Sequence, residues 1–303
     1  MGVAFEEVAE SVYGALSAGQ SQADAVEFTE KAMKLAGGGF TDTAKAVDVL
    51  TTVLNAYKLE SSETEKISDM LITTQDLGKT TVDELASSMG KVIPIAEAQN
   101  VEFAQLATGY AVLTKNGIAT AEAGTAFKAM LGELGKSGTK VDKILRKGLG
   151  KSFSDLQEEG ANIGDVLRYL QSYADQSGVK LSDLFGSVEA GSAALTLASG
   201  NAKEFDEVLQ SMGDSAGATQ KNFEKIEATA KDKLAIAKET IRNALGEMGD
   251  IIVPIIAKIS TAVAAVVKVF GSMPQAFQVR IVYQYHSSDG KNKTRHVFAD
   301  FYS

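Results

Sequence analysis

The sequence predicts an all-α protein: an array or bundle of antiparallel helices with a period of about 20 residues, then one long coiled-coil-like helix, then a short C-terminal β-hairpin. Three observations carry this expectation. Only three prolines, Pro94, Pro254 and Pro274, interrupt 303 residues, in a composition rich in Ala, Leu, Glu and Lys. Proline removes a helical hydrogen bond and clashes with the preceding turn, so its scarcity leaves long stretches free to coil. Helix-capping residue types recur at a near-constant interval. Between them, apolar residues return every three or four positions, the period of one helix face.

Ser21, Thr41, Ser62, Thr81, Asn100 and Thr120 each stand just before an apolar-periodic run. Such side chains cap a helix by accepting from a backbone N–H that has no partner within it. Ser62 with Glu65, and Thr81 with Glu84, have the spacing of a capping box. Stop signals precede several caps, at Gly19, Gly37–Gly39, Gly78 and Gly117. The apolar faces then read Ala44, Val47, Leu50, Val53, Leu54 and Tyr57; Ile67, Met70, Leu71 and Thr74; and Phe103, Leu106, Tyr110 and Leu113. Short Gly-containing loops make neighbours antiparallel.

Residues 136–151, KSGTKVDKILRKGLGK, break the rhythm with six basic residues against one acid, Asp142. Two readings stand: a phosphate- or DNA-facing patch, or a solvated loop and helix face, and the second is the commoner fate of a charge run. Residues 152–213 resume helical patterning, with caps expected at Ser152, Asn162 and Ser182. From Thr219 to Met248 the pattern lengthens into one helix, with Phe223, Ile226, Leu234, Ile241 and Leu245 on an apolar seam and Lys and Glu outside. A seam of this length seeks a partner, so self-association is expected, with fold-back onto the chain's own domain as the competing outcome.

Residues 251–270, IIVPIIAKISTAVAAVVKVF, approach the length that crosses a bilayer. Lys258, Thr261, Ala265 and Lys268 nevertheless share one stripe, opposite Ile252, Ile256, Ile259, Val263, Val266 and Phe270. A charge near the middle costs about 2.5–3.5 kcal/mol on insertion scales, so packing against protein is the expectation and membrane insertion the alternative. Residues 277–303 alternate apolar and polar around Ser288-Asp289-Gly290-Lys291, the pattern of a hairpin.

The chemistry of catalysis is sparse. There is no Cys, and both histidines, His286 and His296, lie near the C-terminus, so thiol and histidine nucleophile, base and metal sites are excluded before them. Gly78-Lys79-Thr80 and Gly150-Lys151-Ser152 imitate the end of a phosphate loop, but Thr73 and Leu145 stand where its first glycine belongs. A formal charge of −9 argues against the whole chain coating nucleic acid or an anionic membrane. We expect no enzyme activity, cofactor or metal, and no sequence-specific nucleic-acid contact.

Four strings resemble the core region of phage tail tape measure proteins of long-tailed phages: GVAFEEVAESVYGALSAGQS (2–21), AVEFTEKAMKLAGGGFTDTAKAVDVLTTVLNAY (25–57), EKISDMLITTQDLGKTTVDELASSMGKVIPIA (65–96) and VLTKNGIATAEAGTAFKAML (112–131). The likeness is collinear over roughly residues 2–135 and looser to about 274. It implies a structural protein wound inside the growing tail, setting its length, binding tail-tube subunits and tail assembly chaperones, and leaving at genome ejection. Its places would be the virion tail lumen and, during assembly, the host bacterial cytoplasm. The chain is short for that family, and its last residues depart from the family pattern, which suggests a truncated or fragmentary member, or a prophage remnant. The alternative is a membrane-active protein working through residues 251–270 during ejection. The expected divisions are 1–135, a helical core domain; 136–214, a second helical segment; 215–274, the long helix with the apolar one; and 275–303, the hairpin tail.

Overall fold

The computed structural model describes residues 5–229, and helix is the only regular structure among them. The expected apolar helix at 251–270 and hairpin at 277–303 lie outside these residues, as do Leu234, Ile241 and Leu245 of the seam. The helices are α1 (Phe5–Ser17), α2 (Ala25–Gly39), α3 (Thr43–Ala56), α4 (Thr64–Leu77), α5 (Val82–Met89), α6 (Ile93–Ala98), α7 (Phe103–Lys115), α8 (Thr120–Gly135), α9 (Lys140–Leu149), α10 (Phe153–Glu158), α11 (Ile163–Ser177), α12 (Val188–Ala198), α13 (Lys203–Gly213) and α14 (Ala218–Thr229). Short 3-10 turns occupy Ser61–Glu63 and Leu181–Leu184. One unforeseen helix, α6, carries Pro94 in its first turn, where the missing N–H costs nothing.

The capping residues expected from spacing are right in part. Thr81 and Glu84 form the capping box of α5. Ser152 with Asp155, and Asn162 with Asp165, do the same for α10 and α11. Elsewhere the chain chooses differently. Asp42 caps α3, accepting from Lys45 N at 2.7 Å, which frees the Thr41 hydroxyl to donate to Asp83 at 2.9 Å. Ser21 accepts from Asp24 N at 3.2 Å in the turn ahead of α2. Ser62 lies within a 3-10 turn, and Glu63 takes the cap position of α4, so the Ser62–Glu65 box does not form. Asn100 adopts a left-handed φ of 58° and leaves the cap position to Glu102. Thr120 is the first residue of α8 and donates to the Glu84 carboxylate at 3.0 Å, with the Thr80 hydroxyl 2.8 Å away. Ser182 sits in a 3-10 turn, and Ser187 caps α12.

Gly37–Gly39 do not stop α2 either. They form its last turn, and the left-handed terminus is Phe40, with φ 55°. These glycines serve packing. A Cβ on Gly39 would lie 2.4 Å from Val82 Cγ2 of α5.

One hydrophobic core runs from Ala15 of α1 to Met212 of α13. Val47, Leu50, Val53 and Leu54 are in it as expected, whereas Ala44 is exposed and Ala46 takes its place. α8 packs on α12, and α7 on α13, so residues before and after 135 share that core. At the α7–α8 crossing two aromatics interlock with two glycines. Phe127 of α8 covers Gly109 of α7, where a Cβ would sit 2.3 Å from the ring. Tyr110 of α7 covers Gly124 of α8, where a Cβ would sit 2.6 Å from the phenol oxygen and 2.3 Å from Ser88 Oγ. The rings meet edge to face, with centroids 6.2 Å apart. Ser88 donates to the Thr120 carbonyl at 3.1 Å, so the Tyr110 hydroxyl, 2.9 Å away, is the donor to Ser88. Burial pushes the Tyr110 phenol up to about 12, which keeps it a donor at all ordinary pH.

Polar pins close the surface. Glu133 of α8 accepts from Ser187 N at 3.0 Å and Ser187 Oγ at 2.9 Å, capping α12 from across the interface. Lys115 Nζ of α7 lies 2.8 Å from Glu204 of α13, and Asn116 Nδ2 donates to the same carboxylate at 2.9 Å. The Lys115 hydrogen bond, then that from Asn116, holds Glu204 below the usual carboxylate range. A depressed folded value means stabilisation that is present at neutral pH and is lost as pH falls from the ordinary range through the depressed one. Glu204→Gln is therefore expected to lower the denaturation midpoint at neutral pH and to leave it unchanged in acid. Equal losses at both ends of an acid titration would contradict this.

Candidate functional site

The described residues hold no group of three His, Cys, Asp or Glu side chains arranged to bind a metal. The two phosphate-loop imitations are helix ends. Gly78 N donates back to Thr74 O at 2.9 Å, continuing α4, and Lys79 N donates to Thr114 Oγ1 at 3.3 Å. Gly150, at φ 75°, terminates α9, and Ser152 caps α10. No helix among the described residues is long and apolar enough to cross a membrane.

The feature that stands out is the base of α14, where the sequence places the start of the long helix. Gly217, at φ 80°, turns the chain out of α13, a left-handed conformation that favours glycine. α14 then opens against Asp69 of α4, which is 3% exposed. Asp69 Oδ2 accepts from Gly217 N at 2.7 Å, and Oδ1 accepts from Thr219 N at 2.8 Å. Ser68 Oγ and Thr219 Oγ1 lie 3.0 Å apart, both buried. One turn on, Asn222 Nδ2 donates to the Asp76 carboxylate at 3.1 Å.

Asp69 has no cation within ion-pair distance among the described residues. Its charge is met by the N-terminus of α14, whose backbone N–H groups and dipole favour an anion. The carboxylate is thus an N-cap supplied by a distant helix. A buried charge left unpaired is expensive, so α4 and the first turn of α14 hold each other.

The seam residues begin here. Phe223 lies against bare α2 backbone: a Cβ on Gly37 would sit 3.1 Å from its ring, and one on Gly38 3.5 Å from its backbone nitrogen. The first seam residue thus packs within the chain, and Ile226 one turn later is half-buried. Beside this junction is a surface cleft of about 300 Å³ lined by Glu27, Glu30, Lys31, Lys34, Glu65, Ser68, Thr219 and Gln220. Its lysines are paired with carboxylates of α2, Lys31 with Glu27 at 2.8 Å and Lys34 with Glu30 at 3.1 Å. The arrangement joins helices and offers no poised acid, base or nucleophile.

The comparisons with known proteins bear on what such a junction serves. The family model for phage-related minor tail protein matches residues 1–162, more than half of the chain. The chain belongs to that family. Two curated relatives of this minor tail protein are the probable tape measure protein of Clostridium phage phiCD119 and the tape measure protein of Pneumococcus phage Dp-1. The first is 36% identical over 252 residues, 80% of this chain and 27% of the relative. The second is 22% identical over 286 residues, 91% of this chain and 24% of the relative. The chain therefore spans about a quarter of the length of these curated relatives. No solved structure matches it. Within the family match lie α2 and α4, which receive α14; α14 itself lies beyond it.

Sequence reasoning did not single out Asp69. The signal was present: an acid among Ile67, Met70, Leu71 and Ile72, in a helix that is apolar on more than one face. Such a residue is either exposed or answered by a partner, and only the fold supplies Gly217 and Thr219 from far along the chain.

Proposed function

We propose that this chain acts as a structural phage tail tape measure protein, in tail assembly and tail-length determination, with a part in genome ejection. The observation that carries this reading is the 36% identity to the probable tape measure protein of Clostridium phage phiCD119 over most of the chain. The two curated relatives are both described as tape measure proteins, which supports a structural rather than enzymatic role. The helical body anchors the first turn of α14 through Asp69, and the seam expected from the sequence begins on that helix. Partners on this reading are further copies of the chain, joined along the later seam residues Ile226, Leu234, Ile241 and Leu245 while Phe223 stays docked on α2, together with tail-tube subunits and tail assembly chaperones. Its places are the tail lumen of the virion and the bacterial cytoplasm during assembly.

The deciding experiment is electron microscopy of tails from a phage carrying this gene with residues 219–248 duplicated in frame. A helix adds about 1.5 Å per residue, so tails are expected to lengthen by up to about 45 Å. Normal tails after deletion of the whole gene would sink the reading. Self-association is tested separately by sedimentation of the full chain beside a triple Ile226→Asp, Leu234→Asp, Ile241→Asp variant. An oligomer reduced to monomer is expected, and a monomeric parent at high concentration rejects the seam.

A further inference from the structure

The basic segment 136–151 is changed in character by the fold. Its single acid leaves the surface: Asp142 is 4% exposed and accepts from Gly138 N at 2.7 Å and from Arg146 Nε at 2.8 Å. Lys151 is paired with Glu159. Lys136, Lys140, Lys143 and Lys147 remain, all exposed, with no carboxylate within ion-pair distance among the described residues. The spacing of three and four sets Lys140, Lys143 and Lys147 in one row on α9, and Lys136 stands in the turn before it. Lys140 Nζ donates to the backbone oxygen of Asp183 at 2.9 Å, which orients the ammonium without neutralising it.

Part of the row is poorly placed for the stability of its own helix. Lys140 and Lys143 fall in the first turn of α9, where the positive end of the helix dipole disfavours cations, whereas Lys147 falls in the last turn, where it is favoured. On a chain of formal charge −9, a concentrated cationic row with no carboxylate partner points to an anionic one. The row is built of lysine, a point charge on a flexible stem, while the one arginine of the segment, whose planar fork could read a base edge, is tied to Asp142. Cβ atoms of Lys140, Lys143 and Lys147 are about 5–6 Å apart, a line that a phosphate chain can follow, with a charge about every 3.4 Å along each strand.

We propose that this row contacts the phosphate backbone of nucleic acid without reading its sequence. The proposal stands independently of the tape measure reading. Its test is fluorescence anisotropy of the full 303-residue chain with a labelled, mixed-sequence DNA duplex over a salt series. Four phosphate contacts give a log–log salt slope of about −3.6, hence roughly 150-fold weaker binding at about 200 mM than at about 50 mM salt. A triple Lys140→Glu, Lys143→Glu, Lys147→Glu variant is expected to lose at least about 100-fold of the low-salt affinity and nearly all the salt slope. Acids suit the first turn of a helix at positions 140 and 143 but not the last turn at 147, so the double Lys140→Glu, Lys143→Glu variant is measured beside the triple one; it should melt no lower than the parent and still lose most of the binding, which separates lost binding from lost fold. Lys66→Glu with Lys203→Glu, two exposed lysines on α4 and α13, changes net charge elsewhere and is expected to stay within about twofold. A parent that fails to bind at low salt overturns the proposal, as does an equal loss in the control pair. Competition by polyglutamate as strong as by DNA, charge for charge, would assign the row to an acidic protein instead and overturn it too.

Discussion

Gly109→Ala is expected to destabilise the protein by about 2 kcal/mol, although the same change at Gly132 on the neighbouring helix is expected to stabilise it by about 1 kcal/mol. Both glycines are helical, and alanine is the better helix former at each, by about 1 kcal/mol. The environments decide the sign. At Gly132 a Cβ meets nothing within 4 Å. At Gly109 it would sit 2.3 Å from Cε1 and 2.4 Å from Cζ of Phe127, whose side chain has no exposed surface into which to retreat. Overpacking of this kind costs about 1–3 kcal/mol and more when the neighbour is locked, which outweighs the propensity gain. In a domain of this size the melting temperature should fall by roughly 4–8 °C. Phe127→Leu in the Gly109→Ala background is expected to recover part of the loss, a non-additivity that a double-mutant cycle measures. Gly109→Ala melting at or above the parent temperature would show that α7 and α8 are not interlocked as described.

Asp69→Ala is expected to release α14 before it unfolds the body. Two hydrogen bonds to a charged acceptor are lost and the N–H groups of Gly217 and Thr219 are left without partners, at a cost of about 3 kcal/mol. Asp69→Asn offers no full rescue, because one carboxylate oxygen becomes an amide that faces an N–H donor. Hydrogen exchange separates the local event from the global one. Amides from 217 to 226 should lose protection in the variant while those of α7 and α8 keep theirs. Uniform loss across the chain, or unchanged protection in α14, would mean that the carboxylate is not the anchor.

The two variants separate what reads along the chain from what does not. Helix content, the near-constant spacing of helix starts and most of the buried faces follow from local chemistry: proline scarcity, capping chemistry and a period of three to four residues. The capping box at Thr81 and the caps at Ser152 and Asn162 were legible because cap and partner lie within one turn; the box expected at Ser62 gave way to a 3-10 turn. The family likeness, too, lay in the order of residues. The positions that join helices were not legible. Gly37, Gly38, Gly39, Gly109 and Gly124 look like interruptions in a sequence and prove to be places where another helix comes close. Thr41 and Thr120 look like caps and instead bind Asp83 and Glu84. Asp142 dilutes a basic segment on paper, yet the fold buries it and leaves the lysines as a continuous row. Asp69 meets residues about 150 positions further on. The reason is physical. A helix and its ends are settled by groups a few residues apart, which the sequence by itself specifies. A buried charge or a missing Cβ takes its meaning from the atoms opposite it, and only the tertiary structure decides which those are.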